Sequence, residues 1–348
     1  MKKSLLTTIA MVVMLFASSG PGVKSQPVKS GIALTYANDK MTDGAGSQLI
    51  RIYGIYALSR YFHVPYVHTP LKEIGYQGLA ALEKNGGSPH MQDRYNRIFN
   101  IPSDIQVPAD AIPQYIDVPK AADILRLKNE AEKENKFYLL RILLPVAILN
   151  TDTEMLRCLK TVSPFKPTPS DVFRIAIHVR RGEEFAVDSH RMLPNSYYIT
   201  AATRIIDALK QLGIPFACEL YTEVASRPFV VTTQSYGMNG RLSHPVVIDP
   251  RMNRIADFDA IPNLQKFINT DPIDALKGMS TADALIISKS EFSYLPALFG
   301  QGIVVYYPME GAPLKEWLIA DKNGNFSSDE LRKQLVEWKH DHEKVRQQ

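Results

Sequence analysis

The sequence predicts an α/β fold of two Rossmann-like domains facing a cleft, and three observations predict it. The chain has 348 residues, enough for two domains of ordinary size. From residue 31 onward, short apolar runs alternate with helical periodicities, the pattern of parallel sheets covered by helices. Three prolines fall within Ser163-Pro164-Phe165-Lys166-Pro167-Thr168-Pro169, which reads as an interdomain linker. The expected division is therefore a leader and tether over 1–30, a first domain over 31–165 and a second over 166–348. With 45% apolar and 22% charged residues, the composition excludes a disordered chain, a collagen and a multispan membrane protein. Forty Lys and Arg against 36 Asp and Glu leave only +4, with no basic run, so nothing points to a nucleic-acid partner. Two cysteines, Cys158 and Cys218, are too few for a disulfide framework or a four-cysteine zinc site.

The elements follow in order. Lys2 and Lys3 precede an apolar stretch from Leu5 to Ala17 and the small residues Ser18, Ser19 and Gly20. This is the pattern of a secretory signal or of an uncleaved signal-anchor, and it is shorter than the ~20 residues of a membrane span. Residues 20–30 lack apolar periodicity and read as a tether. Ile32 to Tyr36 is a buried strand, followed by the turn Asp43-Gly44-Ala45-Gly46 and a helix carrying Leu49, Ile52, Tyr53 and Tyr56. His63 to Val67 is a further extended piece. Residues 85–119 are read as irregular. A helical pattern starts near Ala121 and runs into the apolar Ile142-Leu143-Leu144, where Pro145 kinks or ends it. Val146 to Leu149 is either a last turn or a new element. In the second half, strands are expected over Phe173–Val179, Phe216–Tyr221, Val246–Ile248, Leu285–Ser288 and Ile303–Tyr307. Ser196 to Leu212 is a helix stopped by Gly213, and Asp329 to about Lys344 is a closing amphipathic helix.

Ligands of open parallel sheets sit beyond the carboxyl ends of the strands, and three segments stand there. In Asp43-Gly44-Ala45-Gly46-Ser47-Gln48, glycines allow close backbone approach and a helix start offers N–H groups to an anion. Leu49 breaks the dinucleotide fingerprint, so a plain structural turn is an equal reading. In Ile177-His178-Val179-Arg180-Arg181-Gly182-Glu183-Glu184, two planar guanidinium forks follow a strand and suit phosphate oxygens. Internal pairing of the arginines with Glu183 and Glu184 is the alternative. In Ser288-Lys289-Ser290-Glu291-Phe292-Ser293, a strand turns directly into a helix. Its hydroxyls and amides form a phosphate cradle, an ordinary N-cap, or both.

These segments together resemble the fucosyltransferase superfamily, which holds α1,2- and α1,6-fucosyltransferases and protein O-fucosyltransferases. His178 to Glu183 matches its H-x-R-R-G-[DE] motif. Leu220-Tyr221-Thr222-Glu223 is similar to the family's YSE strand, with Thr222 for Ser. Ser288 to Ser293 resembles the S-x-S-x-F-S element of the α1,2 group. Asp43 to Gln48 resembles that group's G-G-L-G-N-Q loop, with Asp43, Ala45 and Ser47 as departures. The likeness spans roughly residues 32–307, in order.

The resemblance implies a GT-B glycosyltransferase that is inverting, metal-independent and supplied by GDP-fucose, with a glycan or glycoconjugate acceptor. It puts Arg180 and Arg181 on the donor, with Ser288, Ser290, Phe292 and Ser293 around the nucleotide and phosphates and His178 shaping that loop. Gly44, Gly46, Gln48 and Glu183 are the other binding residues it implies. The chemistry of the residues agrees, because a departing nucleoside diphosphate needs a metal or fixed cations. The D-x-D at Asp257-Phe258-Asp259 does not follow an apolar strand and reads as surface acid, so fixed cations are expected and no metal. On this reading Arg181→Ala abolishes transfer and leaves the fold intact. Asp43 is the expected general base, with Glu183, Glu184 and Asp188 as rivals. A secreted or anchored carbohydrate-binding protein without turnover is the reading from a different class. GDP-sugars occur in a Golgi lumen, so the leader implies a Golgi or type II membrane-anchored location, or secretion if it is cleaved; in a bacterium the segment would instead have to be an inner-membrane anchor facing the cytosol.

Overall fold

The computed structural model describes residues 30–39, 43–83, 87–88, 90–168, 170–182, 189–237, 240–309 and 311–346. The leader and Glu183, Glu184 and Asp188 lie outside the described residues, and no described helix is long and apolar enough to cross a membrane.

Short runs rich in apolar, β-branched and aromatic residues need cover on both faces, and here they become the inner strands of two parallel sheets. The first half of the chain runs β1 (Gly31–Tyr36), α1 (Ala45–Tyr61), α2 (Leu79–Glu83), α3 (Met91–Ile98), β2 (Ile112–Ile116), α4 (Ala121–Glu134), β3 (Phe137–Ile142) and α5 (Val146–Leu149). Its sheet has the order β1-β3-β2, all parallel. The second half runs β4 (Phe173–Val179), α6 (Asn195–Gln211), β5 (Phe216–Thr222), β6 (Phe229–Gly237), β7 (Gly240–Ile248), β8 (Leu264–Ile268), α7 (Pro272–Ser280), β9 (Ala284–Ile286), α8 (Glu291–Phe299), β10 (Ile303–Tyr306), β11 (Leu318–Ile319) and α9 (Ser328–Arg346). Its parallel sheet has the order β11-β10-β9-β4-β5-β8. The α/β class with parallel sheets is thus as the sequence predicts.

Several elements differ from expectation, each for a physical reason. The apolar end of the pattern after Ala121 is not helix. Asn135 closes α4 at φ 52, in the left-handed region where helices stop, and the following residues form β3, the central strand of the first sheet. A strand covered on both faces has no alternation to betray it. His63 to Val67 contributes a single bridge, Leu34 to Tyr66, rather than a strand. The stretch read as irregular holds α3 and β2. β2 is an edge strand carrying Pro113, with its side chains partly or fully exposed, and so it lacks an apolar run. Val246 to Ile248 belongs not to the parallel sheet but to an antiparallel hairpin of β6 with β7.

The order of the second sheet places the site. From β4 the chain builds outward through β5 and β8, then returns to β9 on the other side of β4 and continues to β10 and β11. The crevice beyond β4 and β9 is therefore the switch point where such sheets bind ligands. One large core joins the first sheet and α1 to α7 and α8, and a second packs α6 and α9 against the second sheet. The two halves meet closely at the helix starts. A Cβ on Gly46 would lie 2.9 Å from the Cα and N of Phe292, so α1 abuts the first turn of α8 where only glycine fits without movement.

Candidate active site

A cleft of about 870 Å³ opens beyond β4 and β9, within the 300–1,000 Å³ range of small-molecule sites. Asp43, Gly44, Gly46, His178, Arg180, Arg181, Ser290 and Phe292 line it, so the three motif segments converge although long stretches of sequence separate them.

The turn after β4 is held by the turn after β9. Ser288 Oγ accepts from the Arg180 backbone N–H at 2.8 Å and donates to the His178 carbonyl at 2.7 Å; it also pairs with the Tyr198 hydroxyl at 2.6 Å. Ser293 Oγ accepts from the Ser288 N–H at 3.3 Å and donates to the Ser290 carbonyl at 3.2 Å. Both serines are fully buried and neither lines the cleft. This corrects the expectation that they contact a nucleotide: with their hydroxyls engaged inside the protein, they shape the turn. Ser290 is the N-cap of α8, accepting from the Phe292 N–H at 3.3 Å, and it also accepts from Arg180 Nη1 at 3.2 Å. Cap and candidate ligand contact coincide at this residue.

The arginine pair divides. Arg180 is partly exposed and stands at the start of α8, where the helix terminus and the guanidinium together favour an anion. Arg181 is 6% exposed and turned into the protein. It donates to the carbonyls of Arg180 at 2.7 Å and Leu193 at 3.0 Å and to the Asn195 side chain, and it lies 5.8 Å from the Tyr198 ring centroid. Burial lowers its pKa from the ordinary arginine value. Arg181 thus ties the loop to the start of α6, and Arg181→Ala leaves acceptors without donors. Unsatisfied buried groups cost ~1–3 kcal/mol each, so the variant is expected to lose about 3 kcal/mol in urea unfolding. A loss below about 0.5 kcal/mol would show that the guanidinium is not a structural tie. The same measurement tests the expectation of an intact fold.

His178 is 7% exposed, with its ring 5.6 Å from that of Phe292, and among the described residues its Nδ1 has no hydrogen-bond partner. Burial, reinforced by Arg180 and Arg181, lowers its pKa from 6.5 to about 3, so the imidazole is neutral at pH 7.

On the opposite wall, Asp43 pairs with Arg51 and keeps a third of its side chain exposed. Gln48 is buried and does not line the cleft; its Nε2 donates to the carbonyls of Asp43 at 2.8 Å and Glu73 at 2.7 Å. It is therefore a brace for the Asp43 loop and not a ligand contact, which corrects that assignment. Gly44 has φ −60, which any residue adopts. Ser47 Oγ donates to the Glu291 carboxylate across the junction of α1 and α8. In the D-x-D, Asp257 pairs with Arg254 and Asp259 with Lys266, and the described residues contain no group of three His, Cys, Asp or Glu able to hold a metal.

Sequence reasoning missed Arg191, Tyr76 and Arg51, and it treated Glu223 only as part of a strand motif; all four line the cleft. Arg51 lies across α1 from Leu49, Ile52, Tyr53 and Tyr56 on a helix buried nearly all round, so periodicity gave no signal for it. Arg191 and Tyr76 sit in segments without periodicity and had none.

No family model and no curated protein matches this chain. Among solved structures it is similar to POFUT1 in complex with GDP, at 11% identity over 80% of this chain and 97% of that one, TM-score 0.38. It is similar to the E. coli heptosyltransferase WaaC with ADP, at 9% identity over 89% and 99%, TM-score 0.37. Fucosyltransferase NodZ from Bradyrhizobium matches at 10% identity over 82% and 97%, TM-score 0.32. The chain spans 60% of the length of a further match, the iron-containing dodecameric glycosyltransferase TibC from enterotoxigenic E. coli H10407. At these identities and TM-scores the likeness identifies no substrate.

Proposed function

We propose that this chain is a GT-B-like glycosyltransferase that moves fucose from GDP-fucose to a hydroxyl of a glycan or glycoconjugate, with inversion and without a metal. The observation that carries the reading is Arg180, held by the β9–α8 turn at the N-terminus of α8 on the wall of the cleft. Cleavage of the sugar C1–O bond leaves negative charge on the diphosphate, and Arg180 meets it where it develops. The acceptor oxygen forms the new bond to C1 from the opposite face, and its proton passes to a carboxylate, for which Asp43 stands on the facing wall. The family motifs favour guanine as the base and fucose as the sugar. The leader favours action in a Golgi lumen, by a type II anchored or secreted protein.

Thermal shift with GDP, GDP-fucose, UDP and ADP tests the donor. At about 100 times Kd a ligand adds ~2.7 kcal/mol to stability, a shift of several degrees, and it is expected for the guanine nucleotides alone. Release of GDP from GDP-fucose should accompany binding and persist in EDTA. No response to guanine nucleotides would sink the donor assignment, and strict metal dependence would refute the role of fixed cations. Binding without any release or transfer would favour the carbohydrate-binding alternative.

A further inference from the structure

A carboxylate with no role so far sits where the two walls of the cleft meet. Glu223 follows the last residue of β5. Its Oε2 accepts from the Tyr76 hydroxyl at 2.9 Å, and its Oε1 accepts from the Leu79 backbone N–H at 3.0 Å. Both donors come from the first half of the chain. At the near end of that segment, the Gly75 N–H donates to the Asp43 carbonyl at 2.9 Å. At the far end, Leu79 is buried with Ala225 and Ile248, and Glu83 accepts from the N–H and hydroxyl of Ser226. Residues 75–83 are therefore a strap from the Asp43 loop to the end of β5.

Two glycines show how closely it is drawn. Gly78 has φ +99, and a Cβ there would lie 2.6 Å from Glu223 Oε1. Gly182, next to Arg181, has φ +74, and its Cβ position is 3.7 Å from both the Tyr76 hydroxyl and Glu223 Oε2. The Tyr76–Glu223 pair thus abuts the arginine turn.

We propose that Glu223 is a positioning residue that sets the span between Arg180 on one wall and Asp43 on the other by holding the strap against the arginine turn. The proposal rests on the reading of the cleft as a glycosyl-transfer site. Transfer requires in-line approach, and a misplacement of ~1 Å costs about 10²-fold.

Glu223→Ala, Glu223→Gln and Tyr76→Phe, measured side by side, test it. Glu223→Ala is expected to lower kcat for transfer about 30–100-fold and to raise the acceptor KM, with GDP affinity held within about threefold. Glu223→Gln keeps an acceptor for the Leu79 N–H and should recover part of the loss, and Tyr76→Phe should lose several-fold. A lower Tm with kcat and KM unchanged would mean a structural tie only and would overturn the proposal. If Glu223→Ala does not fold, Tyr76→Phe decides by the same split. Amide exchange over 75–79 should quicken in the folded variants, and unchanged protection overturns the strap whatever the activity. If the wild-type protein uses no GDP-sugar, the functional reading fails, and exchange alone then decides whether Glu223 holds the strap.

Discussion

Arg180→Ala is expected to lower sugar transfer and GDP release by about 10²–10³-fold, with little change in stability. Removing one preorganised group that meets developing charge costs ~3–4 kcal/mol of transition-state stabilisation. The fold is expected to tolerate the change because two backbone ties of this turn do not depend on the side chain, although the guanidinium's bond to Ser290 is lost. Its N–H is held by Ser288 and its carbonyl by Arg181, and both survive truncation. Arg180→Lys should recover only part of the activity, since an ammonium cannot bind two phosphate oxygens in a planar fork. Steady-state kinetics with GDP-fucose and urea unfolding on the same samples check both halves. Activity within about threefold of wild type would remove Arg180 from the mechanism.

The second large effect is on acid stability. His178 is neutral in the fold with its pKa lowered from 6.5 to about 3, chiefly by burial. Between these values the unfolded chain binds a proton that the folded chain refuses. Stability therefore rises with pH across this window and falls as pH drops from about 6.5 toward 3. One pKa difference of this size corresponds to about 3 kcal/mol lost between pH 7 and pH 4. His178→Gln cannot take up the proton, so its unfolding free energy should fall less over that range by about the same amount. Parallel acid slopes in the two proteins would show that His178 is not the group responsible. Because the imidazole is uncharged at pH 7, His178 brings no positive charge to the cleft.

Much of the site was legible where local chemistry repeats a strand-to-helix turn. The apolar run ending at Val179 and the runs ending near Tyr36 and Ile286 each stop at a polar turn, and these turns line one cleft. The fold was less legible where burial removes periodicity, as in β3, or where an edge strand has none, as in β2. Which side chain of each motif lines the cleft was not legible, and Ser288, Ser293 and Gln48 are the instances.

The sequence by itself determined the α/β class with parallel sheets, and it pointed to the strand-end segments that line the cleft. Apolar period and turn composition are local properties, and they decide those things. Only the tertiary structure decided that Arg180 faces the cleft while Arg181 is buried, and that Glu223 binds the opposite wall. Adjacent arginines at a strand end differ in role because their partners differ: Ser288 lies 108 residues from Arg180, and Leu193 and Asn195 come from the start of another helix. Direction at a strand end follows from which distant donors and acceptors must be satisfied once buried, and no local pattern encodes that.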